Sequence, residues 1–340
     1  MHQRWSSAGS SGFSRYRMDV LTNPYGPVDA ITDALSRNPD WNALAPDLNE
    51  LLRVRLAAQA RVSSDWIVLA NGVDELHMMI AHWRGDHGPM VLFPPSDPDL
   101  GRWITQHAGQ TERVRRLRDF VLPLDPNFLR LPRGATAVVL TPNDPTGTIM
   151  SVQETVRLSR QCSFVVIDER HAAYSSRTLA PLAREFENLI LVQTFETAAS
   201  LAAFPLAWAI APPRIAEEIA ERGRPSGIAR MSVLAGLAAL DAHDEIQRNV
   251  RRVMVEKGRL FRQLRKLSMI SPPYPSWSNF LLTRIERGSN EFFLPRLRER
   301  GIEVHQVTDP ALPDHLRISA ISADATNALK QALIDAALDL

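Results

Sequence analysis

Short apolar runs alternate along the chain with amphipathic stretches. "DWIVLA" (65–70), "MVLFP" (90–94), "TAVVLT" (136–141), "FVVIDE" (164–169), "ILVQTF" (190–195) and "LAWAI" (206–210) have the β-branched, apolar texture of buried strands. Between them, "VDELHMMIAHWRG", "DLGRWITQHAG" and "SVQETVRLSRQC" carry apolar residues at helical spacing. Ser151 and Glu154 are placed as a capping box for the last of these. Strands of this kind separated by helices predict a mostly parallel sheet covered on both faces. After about residue 212 the texture changes. "RIAEEIAERG" and the stretch 232–267 read as helices. Strand "NFLLTRI" (279–285), helix "EFFLPRLRERG", strands "IEVHQV" and "HLRISA" (315–320) and a last helix, 324–340, follow as a smaller α+β unit.

Composition narrows the class without naming an activity. The chain has 340 residues, 45% hydrophobic and 23% charged, with a formal net charge of +1. That balance fits an ordinary globular protein and offers no electrostatic surface for nucleic acid or membrane. The lone Cys162 excludes an internal disulfide framework and a multi-cysteine metal site, and no metal is expected. No apolar run approaches the ~20 residues of a membrane helix. The opening "MHQRWSSAGSSGFSR" lacks the apolar core of a secretory signal, so a cytoplasmic protein is expected. The only lysines are Lys257, Lys266 and Lys330, and all three read as solvated.

Four stretches carry candidate chemistry. "NPYGP" (23–27) is a turn-forming run. "ANGVDEL" (70–76) puts Asn-Gly between a strand and a helix, where free amides could hold a phosphate. "TPNDPTGT" (141–148) is a turn after a strand, and "VVIDER" (165–170) sets Asp168 at a strand end. Between 194 and 206 the chain makes a knuckle of small and polar residues at the strand ends, where open α/β sheets place their chemistry.

Together these motifs resemble the fold-type-I enzymes that use pyridoxal phosphate (PLP), especially histidinol-phosphate aminotransferase and its relative threonine-phosphate decarboxylase. The resemblance runs from about residue 21 to 335 and takes in "SNFLL" (278–282), "RERGIEV" (298–304) and "LPDHLRIS" (312–319). It implies a large domain over 36–245 and a small domain over 21–35 plus 246–340; the Ser/Gly content of the opening reads as a flexible tail over 1–20.

The resemblance also implies what should stand at each position. The lysine that forms the imine with PLP falls at Thr197, and a phosphate-binding serine at Glu196. A phosphate-clamping arginine falls at Pro205 and a helix-start serine at Val73, after Gly72. An asparagine at the ring hydroxyl falls at Asp144, and a tyrosine three residues after the ring-nitrogen carboxylate falls at His171. "PPSDPDLG" (94–101) lacks a stacking aromatic, and "LAP" (44–46) lacks the family's tyrosine. Tyr25, Asp168, Asn279 and Arg317 match the family, and the arginine at Arg317 would bind a substrate carboxylate.

One lysine and one arginine, a charge of +2, are thus exchanged for Glu196, −1, a change of three units that disfavours a phosphate dianion, since a unit pair at ~5 Å and effective dielectric ~20 is worth roughly 3 kcal/mol. PLP is therefore expected to be absent. Two readings follow. In one, the pocket is repurposed for a small amino acid or carboxylate, with Asp144, Asp168, His171 and Glu196 as acid–base groups and Tyr25, Asn279 and Arg317 holding substrate. In the other, the chain is a non-catalytic subunit that supports an active aminotransferase. A homodimer, or a heterodimer with such an enzyme, is the expected assembly.

Overall fold

The computed structural model describes residues 15–37, 46–85, 87–125, 131–224 and 227–340. The strands are β1 (Tyr16–Met18), β2 (Ile67–Ala70), β3 (Met90–Leu92), β4 (Thr111–Arg113), β5 (Thr136–Leu140), β6 (Phe164–Asp168), β7 (Leu189–Thr194), β8 (Ala207–Ile210), β9 (Phe280–Arg284), β10 (Ile302–Gln306) and β11 (His315–Ser319). The helices are α1 (Asp29–Ser36), α2 (Pro46–Ala60), α3 (Val73–Arg84), α4 (Pro98–His107), α5 (Val152–Gln161), α6 (Ala172–Ser175), α7 (Pro213–Ala220), α8 (Arg230–Asp241), α9 (His243–Leu264), α10 (Asn290–Glu299) and α11 (Ala323–Ala337).

Seven strands form one sheet in the order β2-β8-β7-β6-β5-β3-β4. β4, β3, β5, β6 and β7 run parallel, and β8 is antiparallel to both β7 and β2. The strand centre is apolar on both faces because both are covered. Val138, Leu140, Val166 and Ile190 pack with α3, α4 and α7 on one side. Ala137, Val139, Val165 and Ile167 pack with α2 and Leu158 of α5 on the other. This is the mostly parallel α/β sheet that the sequence predicts.

A second sheet, β1-β10-β11-β9, packs against α9, α10 and α11. β1 lies inside the stretch read as a tail; it pairs in parallel with β10 through Tyr16–Ile302 and Met18–Val304. The expected tail over 1–14 and the missing tyrosine near 44–45 fall outside the described residues. The helical stretch 232–267 is two helices, broken at Ala242, where the backbone leaves the helical region. Among the described residues, no helix is long and apolar enough to cross a membrane.

Candidate functional site

The C-terminal end of β6 delivers Asp168 with no exposed surface. Two residues later Arg170 folds back on it. Arg170 donates from Nε at 2.8 Å and from Nη2 at 2.6 Å to Asp168 Oδ2, and from its backbone N to Oδ1 at 2.9 Å. Its Nη1 donates to Asp97 Oδ2 at 3.0 Å. Asp97 is itself fixed as the cap of α4, accepting from the backbone N of Asp99. His77 of α3 brings Nε2 to 3.2 Å from Asp168 Oδ2. Burial alone would raise the Asp168 pKa, but Arg170 and then His77 hold it far below the usual carboxylate range.

The next residue, His171, is buried, edge-on to Phe280, and its Nδ1 has no partner among the described residues. Burial and then the Arg170 charge pull its pKa down to about 3, so the ring is neutral at any ordinary pH.

The knuckle between β7 and β8 closes over this group. Thr197 Oγ1 donates to the carbonyl of Arg170 at 2.6 Å. Asn23 ties the knuckle to the start of the chain: its N donates to Thr197 O, its Nδ2 to Ala198 O, and its own carbonyl accepts from Ser200 Oγ. Glu196 points toward the start of α3. Its Oε1 is buried without a partner among the described residues, and burial raises its pKa. Gly72, which opens α3, has φ +93°, and a Cβ there would lie 3.0 Å from Pro205 Cβ and 3.2 Å from Glu196 Oε1.

Across the gap, Arg317 of β11 donates from Nη1 to Asp144 Oδ2 and from Nη2 to the carbonyl of Asp19. Both members of the ion pair are buried. Burial pushes Asp144 up to about 6 against the pull of Arg317. Asp144, Asp97, Ser96 and His305 wall a cavity of about 230 Å³ between the two sheets. Burial, then the charge of Arg317, lowers His305 to about 4.

The structure therefore gathers Asp168, His171, Glu196, Thr197, Gly72, Val73 and Pro205 at one end of the large sheet, with Asp144 and Arg317 facing each other across the gap. Tyr25 and Asn279 are spent elsewhere. Tyr25 lies under the Arg252 guanidinium at 3.7 Å, and Asn279 Nδ2 holds the carbonyl of Leu21. Arg170, His77, Asp97, Asn23 and His305 are additions that the sequence pattern did not single out. Lys257 corrects another expectation. It is half-buried, donates to Ser276 O at 2.6 Å, and burial lowers its pKa to about 8.

The sequence model of the aminotransferase class I and II family matches residues 132–336. The chain belongs to this aminotransferase family. Histidinol-phosphate aminotransferase 1 of Arabidopsis thaliana chloroplasts is 28% identical over 326 residues, covering 93% of this chain and 77% of that one. Histidinol-phosphate aminotransferase from Sinorhizobium meliloti, solved in complex with pyridoxal 5'-phosphate, superposes with a TM-score of 0.85 at 20% identity, over 96% of this chain and 91% of that one. L-threonine-O-3-phosphate decarboxylase from Porphyromonas gingivalis gives 0.84 at 15%, over 96% and 100%. The fold is the fold-type-I aminotransferase fold.

These findings correct the expectation that PLP is absent: the aminotransferase family points to PLP, and one relative is seen with it bound. The charge count behind that expectation also omitted Arg170, which puts a guanidinium in the middle of the group. The side chains of this aminotransferase-family protein fit PLP only in part. Asp168 suits a pyridine nitrogen, and the Gly72 start of α3 suits a phosphate. Against this, Arg170 covers both Asp168 oxygens, Glu196 turns a carboxylate toward the α3 start, and Thr197 presents a hydroxyl rather than an amine. No step through PLP follows from this arrangement.

Proposed function

We propose that this aminotransferase-family protein takes a small amino acid, or a close amino carboxylate, in the gap between its two sheets. We also assign Thr197 to the position of the family's imine-forming lysine, so the chain itself forms no imine at that turn. The observation that carries the ligand reading is the make-up of the 230 Å³ cavity wall, where Asp97, Asp144 and Asp309 outnumber the single exposed cation Arg113, with Arg317 behind Asp144. Such a wall attracts the cationic end of a zwitterion, and the arginine supplies a planar fork for its carboxylate. The ligand's carboxylate then replaces that of Asp144 on Arg317. His171 and Glu196, a neutral imidazole and a carboxyl with a raised pKa, are the groups available for proton transfer.

A calorimetric screen of amino acids against the native protein, Asp144→Asn and Arg317→Ala tests this. The expected result is a hit that Arg317→Ala weakens at least about tenfold, or ~1.4 kcal/mol. A hit of equal affinity in Arg317→Ala overturns the assignment.

A further inference from the structure

A second cavity, of about 290 Å³, lies on the other side of the 141–148 turn and has no part in the crevice around Asp168. Three aromatic rings stand in its otherwise largely aliphatic wall. Phe120 and Tyr274 meet edge to face at 5.1 Å, and Trp277, 40% exposed, stands at the rim. Thr146 and Thr148 bring their hydroxyls to the lining, 2.8 Å apart.

The cation in this wall is Arg116. Its Nε donates to Phe93 O, its Nη1 to Phe120 O and its Nη2 to Asn143 Oδ1, at 3.0, 3.2 and 3.1 Å. All three acceptors are neutral, and a guanidinium has more N–H donors than they use. Arg116 makes no ion pair among the described residues. Burial lowers its pKa to about 10, and the nearby carboxylate of Glu154 offsets only part of that shift. A half-buried charge lacking its partner is costly. Two acids also face the cavity, but neither hydrogen-bonds to Arg116. Asp119 is exposed to water, and Glu154 is spent on the backbone N and Oγ of Ser151. Arg177, 4.4 Å over the Trp277 ring, adds a second cation at the rim.

The backbone is bent to make this wall. Asp119 and Phe120 have φ of +57° and +61°, two successive side-chain-bearing residues in the left-handed region. Leu117 N donates to Val121 O and so closes the loop that presents the Phe120 ring and carbonyl. Strain of this kind persists where surrounding structure holds it, and it gathers at ligand sites.

We infer that this cleft binds a small aromatic carboxylate, its ring between Phe120, Tyr274 and Trp277 and its carboxylate on the free N–H groups of Arg116. The inference does not depend on the crevice ligand.

Indole-3-acetate is the probe, with indole and tryptamine as its neutral and cationic counterparts, titrated calorimetrically into the full-length protein. Indole-3-acetate is expected to bind at least about tenfold more tightly than either counterpart. It is expected to lose about tenfold in Trp277→Ala, a rim substitution that leaves the core intact, and to be unaffected by Arg317→Ala. Arg116→Lys, which keeps the charge and loses the fork, is expected to weaken it as well. Equal binding of all three probes, absence of indole-3-acetate binding, or binding unchanged in Trp277→Ala overturns the assignment. The ligand series tests the charge even where an Arg116 variant folds poorly.

Discussion

Arg170 closes its guanidinium on the carboxylate of Asp168, two residues upstream, at 2.6 and 2.8 Å. The pair is buried and extended by Asp97, so removing one member strands the other. Arg170→Ala is expected to lose about 3–5 kcal/mol of stability, the usual cost of an uncompensated buried charge, measured by urea denaturation. The double variant Arg170→Ala/Asp168→Asn is expected to recover a large part of that loss. The substitution also uncovers Asp168. PLP added to Arg170→Ala is expected to bind more tightly than PLP added to the native protein, followed by visible absorbance. Equal affinity in the two would show that Arg170 does not cover the ring site.

The Arg317–Asp144 pair behaves differently because Asp144 sits near its titration point. In Arg317→Ala the stranded carboxyl loses the pull that kept it low, so its pKa rises further above about 6. The cost of the substitution is therefore expected to be large at pH 8 and much smaller at pH 5, where Asp144 is protonated. Urea midpoints at the two pH values check this. A cost independent of pH would mean that water reaches Asp144 and solvates its charge.

His171 and His305 set the acid side of the stability profile. Their folded pKa values, about 3 and about 4, lie below the ordinary 6.5. Between those limits the unfolded chain binds protons that the folded chain refuses, so stability is full above 6.5 and falls as the pH drops. Asp168, held low, adds to the loss below the normal carboxylate range. Asp144 works in the other direction, since its raised pKa favours the folded state as pH falls from about 6. Glu169 and Glu196, also raised by burial, act with Asp144, and His315, also lowered by burial, acts with His171 and His305. His305→Gln removes one of the contributions that destabilise the fold toward acid, so it is expected to lose less melting temperature between pH 6.5 and 4.5 than the native protein.

Gly72→Ala tests the close approach at the start of α3. Its φ of +93° strains any side chain, and the new Cβ would press on Pro205 at 3.0 Å. A loss of roughly 1–3 kcal/mol is expected by urea denaturation. Gly26, also left-handed at φ +71° but with open space around it, is expected to tolerate alanine better.

What the sequence disclosed and what it hid follow from the same physics. β5, β6 and β7 are buried on both faces, so their apolar runs stand out, and the strand-end position of Asp168 comes with them. β4 is Thr-Glu-Arg at the sheet edge, and β1 is three residues long. Neither has enough apolar contrast to be read. The motif turns carry Gly72, Asp144 and Thr197 to the crevice, but periodicity says nothing of where a long side chain turns. Arg170 was missed for that reason, and with it the charge balance on which the expectation about PLP rested. Tyr25 and Asn279 have the right residue types, yet hydrogen bonds and ring contacts with other segments claim them.

The lacing of residues 19–23 has a bearing on when the crevice can exist. Asn23 holds Ala198 over a sequence separation of 175, Asn279 holds Leu21 over 258, and Arg317 holds Asp19 over 298. On a ribosome, which delivers the chain from its N-terminus, the opening residues must wait for nearly the whole polypeptide before their partners emerge. The large sheet has all its strands once β8 has been made, but the two walls of the crevice cannot be tied until β11 has left the exit tunnel. Contacts between such distant residues form slowly. Assembly of the crevice is accordingly the closing event of biosynthesis, and a chain cut short before β11 would carry an intact large sheet with an open, untied site.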